Sequence, residues 1–474
     1  MAINVSFLQD LLTTVAEQGR QYLPTALVGA PREDIRALAR ALMSGRGEAS
    51  GVALARALLD RYRGLGADDR RAFFRLIAED FKPNPAMVKA AAVAYADAPS
   101  ETALQRLRGA VESPRQEFFR RLNLAAGATA EIVAMRGDLL RLLKAEPGFQ
   151  PVDDDIAHLF ASWFNRGFLV LRRIDWQTPA AILEKIIRYE AVHEIQGWDD
   201  LRRRLDPTDR RCFAFFHHSL IDEPLIFVEV ALTREIPGHI QDLIGGGPDS
   251  VPETQPPTTA VFYSISNCQE GLRGISFGNF LIKQVVEELV REKPQLKVFV
   301  TLSPVPHFAR WLDRVRADEA AHIVTPADRV TLQMLSDPGW IDDPDEAEDL
   351  RATLLALAAH YFLQARSGDN RSVDPVARFH LGNGARLERI NWLGDVSEKG
   401  LREGHGLMVN YLYELKDIER NHEAYANDGE VVASRPVRAL LRAPPRGKPK
   451  APEPTRVITA KPEKTAADGG GGKT

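Results

Sequence analysis

The sequence predicts an α+β protein, with an all-helical N-terminal domain over residues 1–148, a mixed α/β domain around a central sheet over 149–440 and a disordered tail over 441–474. Three observations lead there. Up to about residue 145, apolar residues recur at helical spacing. Pro147-Gly148-Phe149-Gln150-Pro151 then breaks that pattern, and beyond it helical and strand-like segments alternate. Within the second part, a strand, a glycine-rich loop and a helix follow one another directly.

At 474 residues the chain exceeds the usual size of one core, so two domains are expected. A hydrophobic content of 44% with 27% charged residues describes a soluble globular protein. The net charge of -4 is small and evenly mixed, which argues against a nucleic-acid or membrane surface. No stretch approaches the ~20 apolar residues of a membrane span. Two cysteines, Cys212 and Cys268, allow neither a disulfide framework nor a thiolate metal cage. They read as small apolar residues in or beside strands, with a redox role or an intersubunit disulfide as the alternative. The first ten residues lack a charged leader, and Asp10 and Glu17 do not suit a transit peptide, so a cytoplasmic location is expected.

In the N-terminal part, Phe7, Leu8, Leu11, Leu12 and Val15 form one helical stripe, and Ile35, Leu38, Leu42 and Met43 a second between Pro31 and Gly45. Leu54, Leu58, Leu59 and Tyr62 follow, then Phe73, Phe74, Ile77 and Phe81 before Pro83. The segments 87–96, 104–111, 118–124 and 132–143 complete an array without a fixed repeat length. No polar residues converge there, so packing and oligomerisation are its expected roles.

Past the boundary, 153–164 reads as helix, 168–171 as strand, 179–189 as helix, and 212–216 and 225–232 as strands. His217-His218 with Asp222-Glu223 raises a metal site, since imidazoles and carboxylates bind zinc or iron. Adjacent histidines on a strand point to opposite faces, however, and Asp222-Glu223-Pro224 reads as a hairpin turn. No metal is expected.

Ala260-Val261-Phe262-Tyr263-Ser264-Ile265-Ser266 reads as a strand, and three glycines in 271–278 lead into a helix with Leu281, Ile282, Val285, Val286 and Leu289 on one face. The first turn of a helix leaves backbone N–H groups unpaired at the positive end of its dipole, so this order makes an anion site. No Gly-Lys-Ser/Thr follows, and no acid is placed to hold a ribose, so it is neither a Walker loop nor a dinucleotide fingerprint. The helix should end near Lys293-Pro294, and a strand over 297–302 should stop at Pro304 and Pro306 with Ser303 at its mouth.

After Trp311 helices return, one starting at Thr325-Pro326 with Val330, Met334 and Leu335, and another through Leu350 to Phe362. Asn383-Gly384 is a tight-turn signal, which puts His380 on or beside an edge leading into a turn. Residues 386–392 read as a strand, and the glycine-punctuated run from Leu401 ends in Asn410-Tyr411-Leu412-Tyr413.

Arg273-x-x-Ser276-x-Gly278 resembles the pyrophosphate loop of the acetyltransferase superfamily, with Ser276 where that pattern has glycine. Together with Phe262-Tyr263-Ser264-Ile265-Ser266, Phe280-Leu281-Ile282-Lys283, Leu302-Ser303-Pro304-Val305-Pro306, the run from Pro375 to Ala385 and Ile390-Asn391-Trp392, the chain resembles the malonyl-CoA decarboxylase family. The resemblance spans residues 150 to 430, and the helical region fits the family's organisation. It implies an acetyltransferase-like catalytic domain that turns malonyl-CoA into acetyl-CoA and carbon dioxide, and a homo-oligomer, a tetramer. It further implies Ser303 as proton acceptor, His380 as proton donor, and a coenzyme-binding stretch of Arg273, Gly274, Ile275, Ser276, Phe277, Gly278 and Asn279. Tyr413 falls near the active site on the same basis.

Decarboxylation of a malonyl thioester leaves an enolate whose sink is the thioester itself, so no metal, biotin, thiamine or pyridoxal is expected as cofactor. The protein must add a dry pocket, a donor to the oxyanion and an acid for the carbanion. A serine is not a strong base unaided, so Ser303 is expected to bind the malonyl carboxylate or to shuttle a proton with His380. Arg273 suits a phosphate. Two other readings stay open: an acyltransferase on the same fold, which needs an acceptor amine or alcohol, and a noncatalytic acyl-CoA-binding scaffold.

Overall fold

The computed structural model describes residues 34–442 apart from 45–46, 221, 246–255, 276–280, 319–322 and 369, together with 13–15 and 17–18. Phe7, Leu8, Leu11, Leu12 and the segment 443–474 lie outside the described residues. The N-terminal layer holds α1 (Ile35–Met43), α2 (Glu48–Arg63), α3 (Ala67–Asp80), α4 (Pro85–Asp97), α5 (Glu101–Val111), α6 (Pro114–Leu122), α7 (Ala128–Leu142) and α8 (Gln150–Trp163). Several starts are set by side-chain caps: Asp34, Asn84, Ser100 and Ser113 each accept a first-turn amide. Tyr62, Phe73, Phe74 and Phe118 meet mostly edge to face in its core, and each such buried ring contributes about 2 kcal/mol. Helices α4 and α5 pack on each other and bury no residue, leaving Met87 61% and Val93 51% exposed.

The second part is built on an eight-stranded mixed sheet. Its elements are β1 (Leu169–Ile174), α9 (Ala180–Tyr189), α10 (Trp198–Leu205), β2 (Arg210–His217), β3 (Pro224–Thr233), α11 (Gln241–Ile244), β4 (Thr259–Asn267), α12 (Leu281–Glu292), β5 (Val298–Thr301) and β6 (Ser303–Pro304). Then come α13 (Phe308–Ala317), α14 (Pro326–Thr331), α15 (Pro344–Leu363), α16 (Pro375–Gly382), β7 (Arg386–Asn391), α17 (Glu398–Gly404), β8 (Met408–Leu412), α18 (Ile418–Asp428) and α19 (Arg435–Ala439). The strand order is β1-β2-β3-β4-β5-β8-β6, with β7 also paired to β8. Strands β2 and β3 are buried almost throughout and so are rich in Phe, Val and Ala rather than alternating. Helix α12 covers one face through Leu281, Ile282, Val285, Val286 and Leu289, in a core continuous with that of the helical layer. Helices α9 and α10 cover the other face with Ile182, Ile186 and Leu201, and Cys212 and Cys268 are buried among them.

The feature that makes the site is a fork. Strands β4 and β5 are parallel and paired only from Thr259↔Val298 to Phe262↔Thr301. Beyond that point β4 runs on to Asn267, while the other chain turns at Leu302 into β6 and pairs with β8 at Ser303↔Val409. Pro304 therefore does not end strand pairing at Ser303 as expected: β8, already antiparallel to β5 at Val300↔Leu412, stays the partner through Pro304↔Met408 while β4 is left behind, because proline needs to donate nothing at a strand edge.

Two other expectations are corrected. The rings of His217 and His218 do not point apart but stack with centroids 4.4 Å from each other, because β2 ends at His217 and His218 is already in the turn, where alternation no longer applies. The helix at Thr325-Pro326 closes at Thr331, so Val330 is 66% exposed and Met334 lies in a separate short turn. Among the described residues no helix is long and apolar enough to cross a membrane.

Candidate active site

Thr301 and Ser303 are two residues apart on adjoining strand segments, so both side chains point to the same side. The Ser303 Oγ donates to Thr301 Oγ1 at 2.9 Å, and the same Thr301 oxygen accepts the Tyr411 amide at 3.1 Å. Asn410 donates its side-chain amide to the Thr301 carbonyl at 2.8 Å, which ties β8 to the end of β5. The serine is thus fixed from two strands and is only 5% exposed.

His380 reaches it from a helix, not from the edge of a hairpin. Buried Asp374 caps α16 by accepting the Ala377 amide at 2.8 Å, and it also accepts from the Tyr361 hydroxyl at 3.0 Å. Pro375 takes the first helical position, where its missing N–H costs nothing. The Asn383-Gly384 signal marks the stop of this helix: the Asn383 and Ala385 amides bond back to the His380 carbonyl, and Gly384 has φ of 82°. A Cβ on Gly384 would lie 2.1 Å from the Ile418 carbonyl oxygen, so only glycine turns the chain here. An Asn-Gly pair serves a hairpin or a helix stop equally well, and the Asp-Pro cap upstream decides between them.

His380 Nε2 stands 3.1 Å from Ser303 Oγ, and its Nδ1 stands 2.8 Å from the Tyr413 hydroxyl. Tyr411 stacks on the imidazole with a centroid separation of 4.6 Å and an interplanar angle of 22°. Burial pulls the His380 pKa down from 6.5 to about 3, so the ring is neutral around pH 7. Its position in the last turn of α16 favours a cation by at most ~2 kcal/mol, too little against a shift of this size at about 1.4 kcal/mol per pH unit. Burial likewise raises Tyr411 and Tyr413, which are neutral phenols. The expected acid near neutrality is therefore uncharged in the unliganded protein.

Ser303 and His380 line one cavity of about 250 Å³ in the fork, with Phe262, Tyr263, Ile265 and Asn267 of β4 as one wall and Pro304, Val376 and Phe379 as the other. No lysine or arginine is among its described lining residues. Of the Arg273–Asn279 stretch expected to bind the coenzyme, the described residues run to Ile275: Gly274 has φ of 80°, Arg273 is exposed, and Ser276, Phe277, Gly278 and Asn279 lie outside the described residues. No group of three or more His, Cys, Asp or Glu among the described residues could hold a metal ion, and His217 bonds to the Ser219 amide instead. Sequence reasoning missed Thr301 and Asn267. Spacing by two from Ser303 would have flagged the threonine.

The family model described as malonyl-CoA decarboxylase C-terminal domain matches residues 167–451, and the corresponding N-terminal domain model matches 81–164. The chain is 35% identical over 412 residues to the mitochondrial malonyl-CoA decarboxylase of Anser anser anser, covering 80% of this chain and 81% of that one. With the mitochondrial enzyme of Mus musculus it shares 35% over 359 residues, covering 71% and 73%. A crystal structure of malonyl-CoA decarboxylase from Rhodopseudomonas palustris superposes with a TM-score of 0.81 at 55% identity, over 85% of this chain and 98% of that one. One from Agrobacterium vitis gives 0.81 at 56% identity, over 86% and 100%.

Proposed function

The chain belongs to the malonyl-CoA decarboxylase family, and we propose that it performs that family's reaction in the β4–β5 fork, with Ser303 and His380 as the groups that handle the proton. The reaction is a carboxy-lyase step in which malonyl-CoA loses carbon dioxide and becomes acetyl-CoA. The observation that supports this site most is the Ser303–His380 contact of 3.1 Å inside a cavity whose described lining has no cation. A carboxylate held there loses its hydration and meets no fixed cation among the described lining residues, so the charge that can answer it is a proton drawn onto the neighbouring imidazole.

When the C–C bond to the carboxylate breaks, its electron pair moves into the thioester as an enolate, and the α-carbon must then take one proton from solution. Neutral His380 cannot store that proton in the free protein. A malonyl carboxylate within about 4–6 Å raises an imidazole pKa, so the substrate itself charges the ring. Loss of carbon dioxide removes that counter-ion, and the imidazolium left in an apolar cavity becomes a strong acid. It gives its proton to Ser303 Oγ as the serine passes its own to the α-carbon, or donates directly. Tyr413 holds Nδ1 and so sets which ring nitrogen faces the serine.

The coenzyme's diphosphate is assigned to the stretch from Arg273 to Asn279, which precedes α12 in the sequence. No metal or organic cofactor is needed by this chemistry. Self-association into a tetramer is part of the same proposal, with the α4–α5 pair, which buries no residue of its own, as the surface available for it; light scattering on the purified protein tests it. A cytoplasmic location is likewise proposed, to be tested by cell fractionation. The activity test is carbon dioxide release from malonyl-CoA alone, with a chelator and no added acceptor. Release that requires an amine or alcohol acceptor would instead make the protein an acyltransferase.

A further inference from the structure

The segment that leads into the coenzyme turn is gripped by the helical layer. Arg136 of α7 is 3% exposed, and its Nη1 donates to the Gly271 carbonyl at 2.7 Å and to the Arg273 carbonyl at 3.0 Å. Its Nε donates to Asp153 of α8 at 2.7 Å, and Asp153 is 7% exposed. A buried guanidinium with a planar fork, one paired acid and two loop carbonyls has little freedom to move. Gly271 is pressed against the same helix so closely that a Cβ would lie 1.8 Å from the Val133 carbonyl oxygen.

In a trans peptide the C=O and N–H point in opposite directions. The Arg273 carbonyl is turned toward Arg136, so the Gly274 N–H is turned away from α7, to the outer side of the loop. That N–H makes no hydrogen bond with a described residue, whereas those of Leu272 and Ile275 bond within the turn. Gly274, at φ of 80°, offers this amide without a side chain in front of it.

We propose that Arg136, held by Asp153, is a positioning residue for the coenzyme: it sets the Arg273–Gly274 peptide so that its amide faces the diphosphate of the acyl-CoA. The helical layer then acts directly on substrate binding. This inference rests on the proposed assignment of the Arg273–Asn279 stretch to the coenzyme.

The test compares malonyl-CoA with malonyl-pantetheine, which has the same thioester but neither nucleotide nor diphosphate. The double variant Arg136→Met/Asp153→Leu removes the pair without leaving a lone buried charge, and Gly271→Ala displaces the loop independently should that variant not fold. Each should raise KM for malonyl-CoA about tenfold or more, leaving kcat/KM for malonyl-pantetheine within about twofold of the parent. A variant that keeps the parent's preference for malonyl-CoA, or loses activity equally on both substrates, overturns the proposal. Parent protein that shows no preference for malonyl-CoA over malonyl-pantetheine instead removes the coenzyme turn, and the positioning role with it.

Discussion

His380 Nε2 and Ser303 Oγ lie 3.1 Å apart although 77 positions separate them in the sequence. One comes from the end of a capped helix and the other from a strand that has just parted from β4 while staying paired with β8, so neither local element alone makes the pair. The contact exists only when the fork between β4 and β5 is built. Its chemical consequence is that a hydroxyl and a neutral imidazole share one small, largely apolar cavity.

Removing either member should stop the proton transfer without emptying the site. Ser303→Ala and His380→Ala are each expected to lower kcat by about 10²–10⁴, while acetyl-CoA still binds. Stopped-time carbon dioxide release and equilibrium binding of acetyl-CoA separate the two effects. Parental turnover in the histidine variant would take that residue out of the mechanism.

Tyr413→Phe deletes only the hydroxyl 2.8 Å from Nδ1. A buried hydrogen bond is worth about 1–2 kcal/mol, so kcat should fall about tenfold through loss of the tautomer set by Tyr413. The ring that packs in the core stays, and the melting temperature should move little. An unchanged kcat would mean that the tautomer is set elsewhere.

Gly384→Ala tests how the histidine is aimed. Alanine at φ of 82° meets the Ile418 carbonyl oxygen at 2.1 Å, and left-handed backbone alone costs about 1–2 kcal/mol before that clash is counted. Thermal unfolding should show a clear loss of stability, with kcat reduced as α16 shifts. Alanine tolerated at parental stability and rate would show that the helix stop does not set His380.

The depressed pKa of His380 makes a linked prediction for stability. The unfolded chain takes up this proton near pH 6.5 and the folded one only at about 3. Between those values the unfolded state binds more protons, so stability falls as pH drops through that window and is unaffected above it. Denaturant unfolding should show His380→Gln losing less stability than the parent between pH 6.5 and 5, by about 2 kcal/mol. Parallel pH profiles would place the imidazole in contact with water.

Much of this was legible in the sequence because it is local. The stripes at 35–43, 54–62 and 73–81 and that of α12 follow from helical spacing, and their burial agrees with it, whereas α4 and α5 bury no residue; the strand at 260–266 follows from its β-branched and aromatic residues. Ser303 stood out as a strand-end serine between motifs, but its bond to Thr301 needed only the period-two rule. The helix under His380 is hidden because Asn383-Gly384 signals a tight turn whichever element precedes it, while Asp374-Pro375, the stronger cap, begins six residues upstream of the histidine. Arg136 gave no signal: two of its partners are backbone carbonyls 135 and 137 positions away, which carry no side-chain identity to pattern against, and the third, Asp153, stands on another helix across the Pro147–Pro151 break. The neutrality of His380 was equally hidden, since it comes from the rings and strands that bury it.

The most direct test is the protonation state of His380 followed by ¹⁵N imidazole NMR at pH 7, in the free protein, with acetyl-CoA, and with an acyl-CoA analogue bearing a sulfonate in place of the malonyl carboxylate. The expected result is a neutral ring in the first two and a protonated ring with the analogue, because only the analogue brings a fixed negative charge that cannot leave. An imidazole that stays neutral beside the bound sulfonate, or one already charged in the free protein, would contradict the account.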